Sequence, residues 1–142
     1  MSTEDLKAKV RRATEDAYHK GNVDTLDEVW APDFVRHQPP LPDLDGLAAY
    51  KQFILDVRKR YADDIQVTFH ELIEEGDWGA SRWTFSGTQT GGPSPTVVYI
   101  TMEGVSFLRY VEGKLVKEWA MGDYLGLFQQ DGLIPPLKEL LG

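Results

Sequence analysis

The chemistry in this chain gathers around Asp123. It lies within the stretch Val105 to Gln130, VSFLRYVEGKLVKEWAMGDYLGLFQQ, which reads as a strand, a turn at Glu112-Gly113-Lys114, a second strand and a short helix. Gly113 can take the positive φ that three- to five-residue hairpin loops need. Side chains alternate along a strand, so Leu115, Lys117, Trp119, Met121 and Asp123 should share one face. Aspartate is depleted in strands, and an ionised carboxylate against apolar walls is costly unless partnered. Two readings follow. Asp123 ends the strand and caps the next helix, where Asp is favoured, or it is a buried catalytic acid–base. Residue chemistry alone favours the cap.

Something must position that residue, and the remaining chain supplies helices first and strands second. Ser2-Thr3-Glu4-Asp5 resembles a capping box, and Leu6, Val10, Ala13 and Ala17 recur at helical spacing, which predicts a helix over 3–20 stopped by Gly21. A second, short helix from Asn22 should carry Leu26, Val29 and Trp30 and end at Ala31-Pro32. Phe34 to His37 reads as a short extended piece, followed by a loop stiffened by Pro39, Pro40 and Pro42. Asp45-Gly46 opens a third helix with Leu47, Tyr50, Ile54, Val57 and Tyr61 on one face.

The period then changes to that of strands. Ile65 to Ile73 alternates, Glu75-Gly76-Asp77 turns, and Trp83 and Phe85 share a face of the next strand. The loop Gly91 to Pro95 leads to a long strand, Thr96 to Tyr110, with a bend expected at Gly104. Three helices followed by four long antiparallel strands make an α+β fold, with the helices over the concave side of a curled sheet. Such a sheet encloses a cavity, where small-molecule sites usually lie. The last two strands carry apolar residues on both faces, so a homodimer is expected, the second face covered by a partner copy.

Composition narrows the partners. The 142 residues suit one domain over 1–142, and the formal net charge of −8 makes nucleic acid and anionic membranes poor partners. The chain has no cysteine, which removes thiol catalysis and thiolate metal sites. The first residues, MSTEDLKAKVRR, are charged where a signal peptide needs an apolar core, and no apolar run approaches membrane-spanning length. The expectation is a cytoplasmic protein.

Several segments together resemble a known family. Trp30-Ala31-Pro32-Asp33-Phe34-Val35-Arg36-His37 is similar to the "APDFVxH" segment of the SnoaL-like polyketide cyclases, also called ester cyclases. Leu72 to Asp77 is similar to their "LIAEGD" hairpin, and Ser81 to Gly91 to their "RWTxxGTHTG" strand. Glu112 to Trp119 and Asp123 to Gln130 are similar to "DGKIVEHW" and "DxLGLLQQ". The order is right and nearly the whole chain is covered. The resemblance implies a nuclear transport factor 2-like (cystatin-like) fold, a conical α+β barrel that is commonly dimeric and holds a deep pocket. It also implies that an aspartate at the position of Asp123 acts as general acid–base in an intramolecular aldol ring closure, without metal or cofactor. The chain departs from the pattern at two places: Gln89 and Glu118 stand where the family usually has histidine.

Aldol cyclisation and ketosteroid-type isomerisation share their elements: a carboxylate removes a proton alpha to a carbonyl, and a donor holds the oxyanion. Asp123 would be the base, its pKa raised by desolvation against Trp119 and Met121. His37 is the donor or second acid–base candidate, with a plain surface-loop histidine as its other reading. Tyr50, Tyr99, Arg82, Trp83 and, from the first helix, Tyr18 are candidates to line the cavity, although a sheet aromatic is usually core and Arg82 can simply pair with an acid. His19, beside Lys20 on a helix, reads as solvent-exposed. No metal site is expected: His70-Glu71-Leu72-Ile73-Glu74 lacks the second histidine of a zinc-protease helix, and Asp43-Leu44-Asp45-Gly46 is too short for a calcium loop. The substrate expected is a hydrophobic small molecule. Two alternatives stay open: an epoxide hydrolase, with Arg82 or Arg109 in an Asp–Arg–Asp set, and a non-catalytic binding protein using the same pocket.

Overall fold

A computed structural model describes residues 3–93 and 95–142. The capping box assigned to Ser2 therefore lies outside the described residues. Helix α1 (Thr3–Lys20) buries Val10, Ala13 and Ala17 along one stripe and ends at Gly21, whose φ of +78° only glycine takes without strain. The second helix is not a full helix. Val23–Glu28 forms a 3-10 turn, and Trp30 already belongs to a strand, β1 (Trp30–His37). The backbone of β1 is taken up by two neighbours. It runs antiparallel to the two-residue β2 (Leu44–Asp45) and parallel to the far end of the chain. Its ladder breaks between Trp30 and Val35, where Pro32 has no N–H to give. Helix α2 (Leu47–Lys59) follows, burying Leu47, Tyr50 and Ile54.

The long strands are β3 (Gln66–Glu75), β4 (Trp78–Gln89), β5 (Val98–Val111) and β6 (Lys114–Gly122), with short helices α3 (Tyr124–Gln130) and α4 (Leu137–Leu141) after them. The sheet has six strands in the order β2-β1-β6-β5-β4-β3. Helix α1 packs on β3, α2 on β1 and α3 on β5, so the helices close the hollow side of the curled sheet. This is the expected α+β cone, enlarged by the two strands β1 and β2. No described helix is long and apolar enough to cross a membrane.

Two local features set what faces inward. On β5, Ile100, Met102, Ser106, Leu108 and Tyr110 are buried while Tyr99, Val105 and Phe107 are exposed. Gly104 continues the inward row, and the Trp83 ring of β4 lies against it so closely that any Cβ there would collide with the indole. The second feature is a bulge in β6. Arg109 pairs with Lys117 but Tyr110 pairs with Leu115, so Val116 is an extra residue. The inward set is therefore Leu115, Glu118 and Ala120, while Lys117, Trp119 and Met121 lie on the outer face. This corrects the single face expected for Leu115 through Asp123. A regular alternation cannot survive an inserted residue.

His19 is also not free in solvent. It is half-buried, and its Nε2 accepts the Val67 N–H at 2.8 Å. That N–H lies on the outermost strand of the sheet, where no further strand exists to receive it.

Candidate active site

The helices and the hollow face of the sheet enclose a cavity of about 570 Å³, within the range of small-molecule sites. Its walls are mostly apolar and aromatic: Val10, Trp30, Phe53, Trp83, Phe85, Met102 and Leu108 contribute. Into this setting β1 and β6 bring one pair of opposite charges. Arg36 and Glu118 are register partners across the parallel pair, so their side chains leave the sheet on the same face. Arg36 Nε donates to Glu118 Oε1 at 3.2 Å, and both side chains are about nine-tenths buried. The other carboxylate oxygen accepts the Ser106 hydroxyl at 2.7 Å, and Ser106 Oγ itself accepts Trp83 Nε1–H at 2.9 Å. Because the indole can only donate, the direction of this chain is fixed: Trp83 to Ser106 to Glu118. On the other side, Arg36 Nη1 donates to the Gln38 side chain, which donates to the Pro42 carbonyl at 3.3 Å.

A network crossing β4, β5, β6 and β1 thus holds both charges. Burial alone would lower the Arg36 pKa, but the Glu118 carboxylate and the surrounding phenols more than reverse this, so the guanidinium stays charged. Near it the Tyr18 and Tyr50 hydroxyls lie 3.2 Å apart, and both are raised above the ordinary tyrosine range, chiefly by burial. Also on the cavity wall, burial pushes Tyr61 up to about 12. Gln89 and Asp131 are also buried on the cavity wall, and Leu133 N–H donates to Asp131 at 3.0 Å.

Of the residues singled out in the sequence, Tyr18, Tyr50 and Trp83 line this cavity. The others do not. Asp123 is exposed at the N-terminus of α3, where its carboxylate accepts the Gly126 N–H at 2.9 Å. Trp119 and Met121 are carried to the outer face by the β6 bulge. Parity also turns His37 outward, since Arg36 takes the inward position. His37 Nδ1 lies 2.9 Å from Asp43, and its ring stacks on Trp119 at 5.7 Å. Arg82 grips Glu71 through two bonds, of 2.6 and 3.1 Å, across the outer face of β3–β4. Tyr99 is 63% exposed on the outer row of β5. Arg109, the other arginine considered for an epoxide hydrolase, lies over the Trp78 ring on that same outer face.

The sequence reading missed Arg36, Gln38, Ser106 and Glu118 as a unit. Two signals pointed there. Phe34 is an obvious core residue, and a strand puts Arg36 on the same side as Phe34. Glu118 and Gln89, the two departures from the family pattern, both line the cavity. Among the described residues no group of three or more His, Cys, Asp or Glu is arranged to hold a metal.

A curled α+β sheet closed by helices over its hollow side is the nuclear transport factor 2-like fold. Within that fold the sequence matches the SnoaL-like polyketide cyclases over residues 8–131, and the chain belongs to that family. Solved structures agree on the fold. TsrD from Streptomyces laurentii superposes with a TM-score of 0.80 at 22% identity, covering 94% of this chain and 100% of its own. IdmH from Streptomyces antibioticus gives 0.72 at 24% identity, covering 93% and 99%. A hypothetical protein with a ketosteroid isomerase-like fold from Catenulispora acidiphila gives 0.72 at 14% identity, covering 87% and 92%. No curated protein is significantly similar to this chain in sequence. Family membership supports a cyclase or isomerase kind of function that needs no cofactor.

Proposed function

We propose that this protein is a cofactor-independent acid–base enzyme acting next to the carbonyl of a hydrophobic compound, as an intramolecular aldol cyclase or a related isomerase. The observation that carries this reading is the buried Arg36–Glu118 ion pair on the wall of a mostly apolar and aromatic cavity. Carbon-acid chemistry asks for a proton acceptor and for a donor to the oxygen that becomes negative, in a place where water does not compete. Glu118 is the acceptor in this reading. Arg36 and Ser106 each occupy one lone pair of a different carboxylate oxygen, which leaves a second lone pair on each for a substrate proton. Arg36 and Ser106 fix the orientation of the Glu118 carboxylate on the cavity wall. Asp123, the acid–base of the family resemblance, is the rival for this role.

Incubating a panel of hydrophobic ketones in D₂O and following α-proton exchange by NMR tests the proposal. Exchange by the native protein should be lost in Glu118→Gln and largely kept in Asp123→Asn. Loss in Asp123→Asn alone returns the base role to Asp123. Tight ligand binding with no exchange by the native protein replaces the enzyme by a binding protein.

We infer a homodimer built on the outer face of the sheet. Ile73, Trp78, Val105, Phe107 and Met121 are between 44% and 60% exposed there, more contiguous apolar surface than a lone subunit usually shows. The rim mixes Glu75 and Asp77 with Arg109 and Lys117, so a two-fold copy can meet each sign with its opposite.

A further inference from the structure

Arg36 enters the cavity with two of its three nitrogens tied, Nε to Glu118 and Nη1 to Gln38. Its Nη2 corner has no protein acceptor among the described residues, yet it is not a buried orphan, so it opens onto the cavity that Arg36 lines. The guanidinium lies over the Tyr50 ring, 5.2 Å from its centre. Beside it the hydroxyls of Tyr18 and Tyr50 share one hydrogen bond. Whichever of them donates, the other keeps an O–H with no protein acceptor among the described residues. Two phenols with one bond between them leave one donor spare.

The field at this end of the cavity has a definite sign. Burial raises the Tyr18 and Tyr124 hydroxyls, so both stay protonated as donors. Of the charges that act on them, Arg36 pulls harder than Glu118 pushes. The ion pair is thus not neutral as seen from the tyrosines: its positive pole faces them and its negative pole faces Ser106. Trp30, on the same cavity's wall, adds a buried Nε1–H that no acceptor among the described residues meets. Arg36 Nη2, the spare phenol O–H and Trp30 Nε1–H are all donors, whereas the buried Gln89 and Asp131 of the same wall lie by Tyr61.

We propose that Arg36 Nη2 and the spare hydroxyl of the Tyr18–Tyr50 pair form an oxyanion-binding corner, and that the ligand is a ring compound whose oxygen is ionised or becomes so, a phenolate or an enolate. The planar ring would lie against the aromatic walls, Trp83 and Phe85 among them, with its oxygen at the corner. The inference deepens the function proposed above and rests on it for the choice of cavity, but it requires no turnover.

The test uses 4-nitrophenol, whose ionised form absorbs at longer wavelength than its neutral form, bound to the intact protein across a pH series. Bound nitrophenol should ionise at lower pH than free nitrophenol. A hydrogen bond to a charged oxygen is worth about 10- to 100-fold, so Tyr18→Phe and Tyr50→Phe should each reduce the preference for the ionised form by about that factor. Arg36→Gln combined with Glu118→Gln, which leaves no orphaned buried charge, should abolish the preference while circular dichroism reports an intact fold. Tyr99→Phe, on the outer face, should change nothing. The assignment is overturned if nitrophenol does not bind, if it binds in its neutral form, or if the three cavity variants leave its ionisation unmoved. Failure of ketone exchange with ionised nitrophenol still bound would sink the enzymatic reading and leave this corner standing.

Discussion

At the level of single residues, the Arg36–Glu118 pair carries most of the energetic risk in the molecule. Each charge has been taken out of water, and each is tolerable only because the other is there. Glu118→Leu should therefore cost about 3–5 kcal/mol in urea unfolding, since it leaves a guanidinium buried without its counter-ion. Arg36→Met together with Glu118→Leu should recover most of that loss, and an unaltered deficit in the double variant would show that packing, not charge, is responsible. Glu74 offers a second residue-scale test. Its Oε1 accepts the Tyr110 hydroxyl at 2.8 Å, while Oε2 is buried without a partner among the described residues. Burial raises its pKa, more than Tyr110 and Lys7 lower it. A carboxyl that holds its proton more tightly when folded stabilises the fold below the ordinary carboxylate range and loses that contribution as pH rises through the raised value. Glu74→Gln keeps the acceptor for Tyr110 without the charge, so its Tm should exceed the native value near neutral pH, and the advantage should vanish in acid. Nothing in the local sequence marks Glu74 for this. Its burial comes from residues far away in the chain, a kind of information that periodicity does not hold.

At the level of elements, the hairpins were legible because turn chemistry is local, and their fine geometry was not. For the β5–β6 connection the sequence places a three-residue turn at Glu112-Gly113-Lys114, with Gly113 able to take a positive φ. Val111 instead pairs directly with Lys114, leaving a two-residue turn in which Glu112 (φ 51°) and Gly113 (φ 76°) are both left-handed. Such turns favour Asn at the first position, and glutamate is strained there. Glu112→Asn should raise stability by about 0.5–1 kcal/mol in thermal melts, and no gain would mean that the strain is relieved elsewhere. Strand β1 was only half visible, since Pro32 and the brevity of the apolar run disguised Trp30 to His37. Its existence depends on pairing with a strand some eighty residues later. The extra residue in β6 was invisible for the same reason. Without it the sequence assigns Trp119 and Met121 to the cavity; with it they go outside and Glu118 enters.

At the scale of the whole molecule, fold class was the most legible property, because helix and strand periods and the order of elements survive local errors. The exposed apolar face of the sheet makes the proposed homodimer testable. If the outer surface joins two copies, sedimentation should report a dimer, and Phe107→Lys should give a folded monomer that still binds nitrophenol. A native protein that sediments as a monomer would remove the homodimer. The distribution of indoles makes both events separately observable. The chain has four tryptophans. Trp30 and Trp83 look into the cavity, whereas Trp78 and Trp119 stack on one another outside, 6.2 Å between ring centres. Fluorescence of the inner two thus reports a guest, and that of the outer two reports a neighbour. Two optical channels, read with paired Trp→Phe variants, come built into the unlabelled protein.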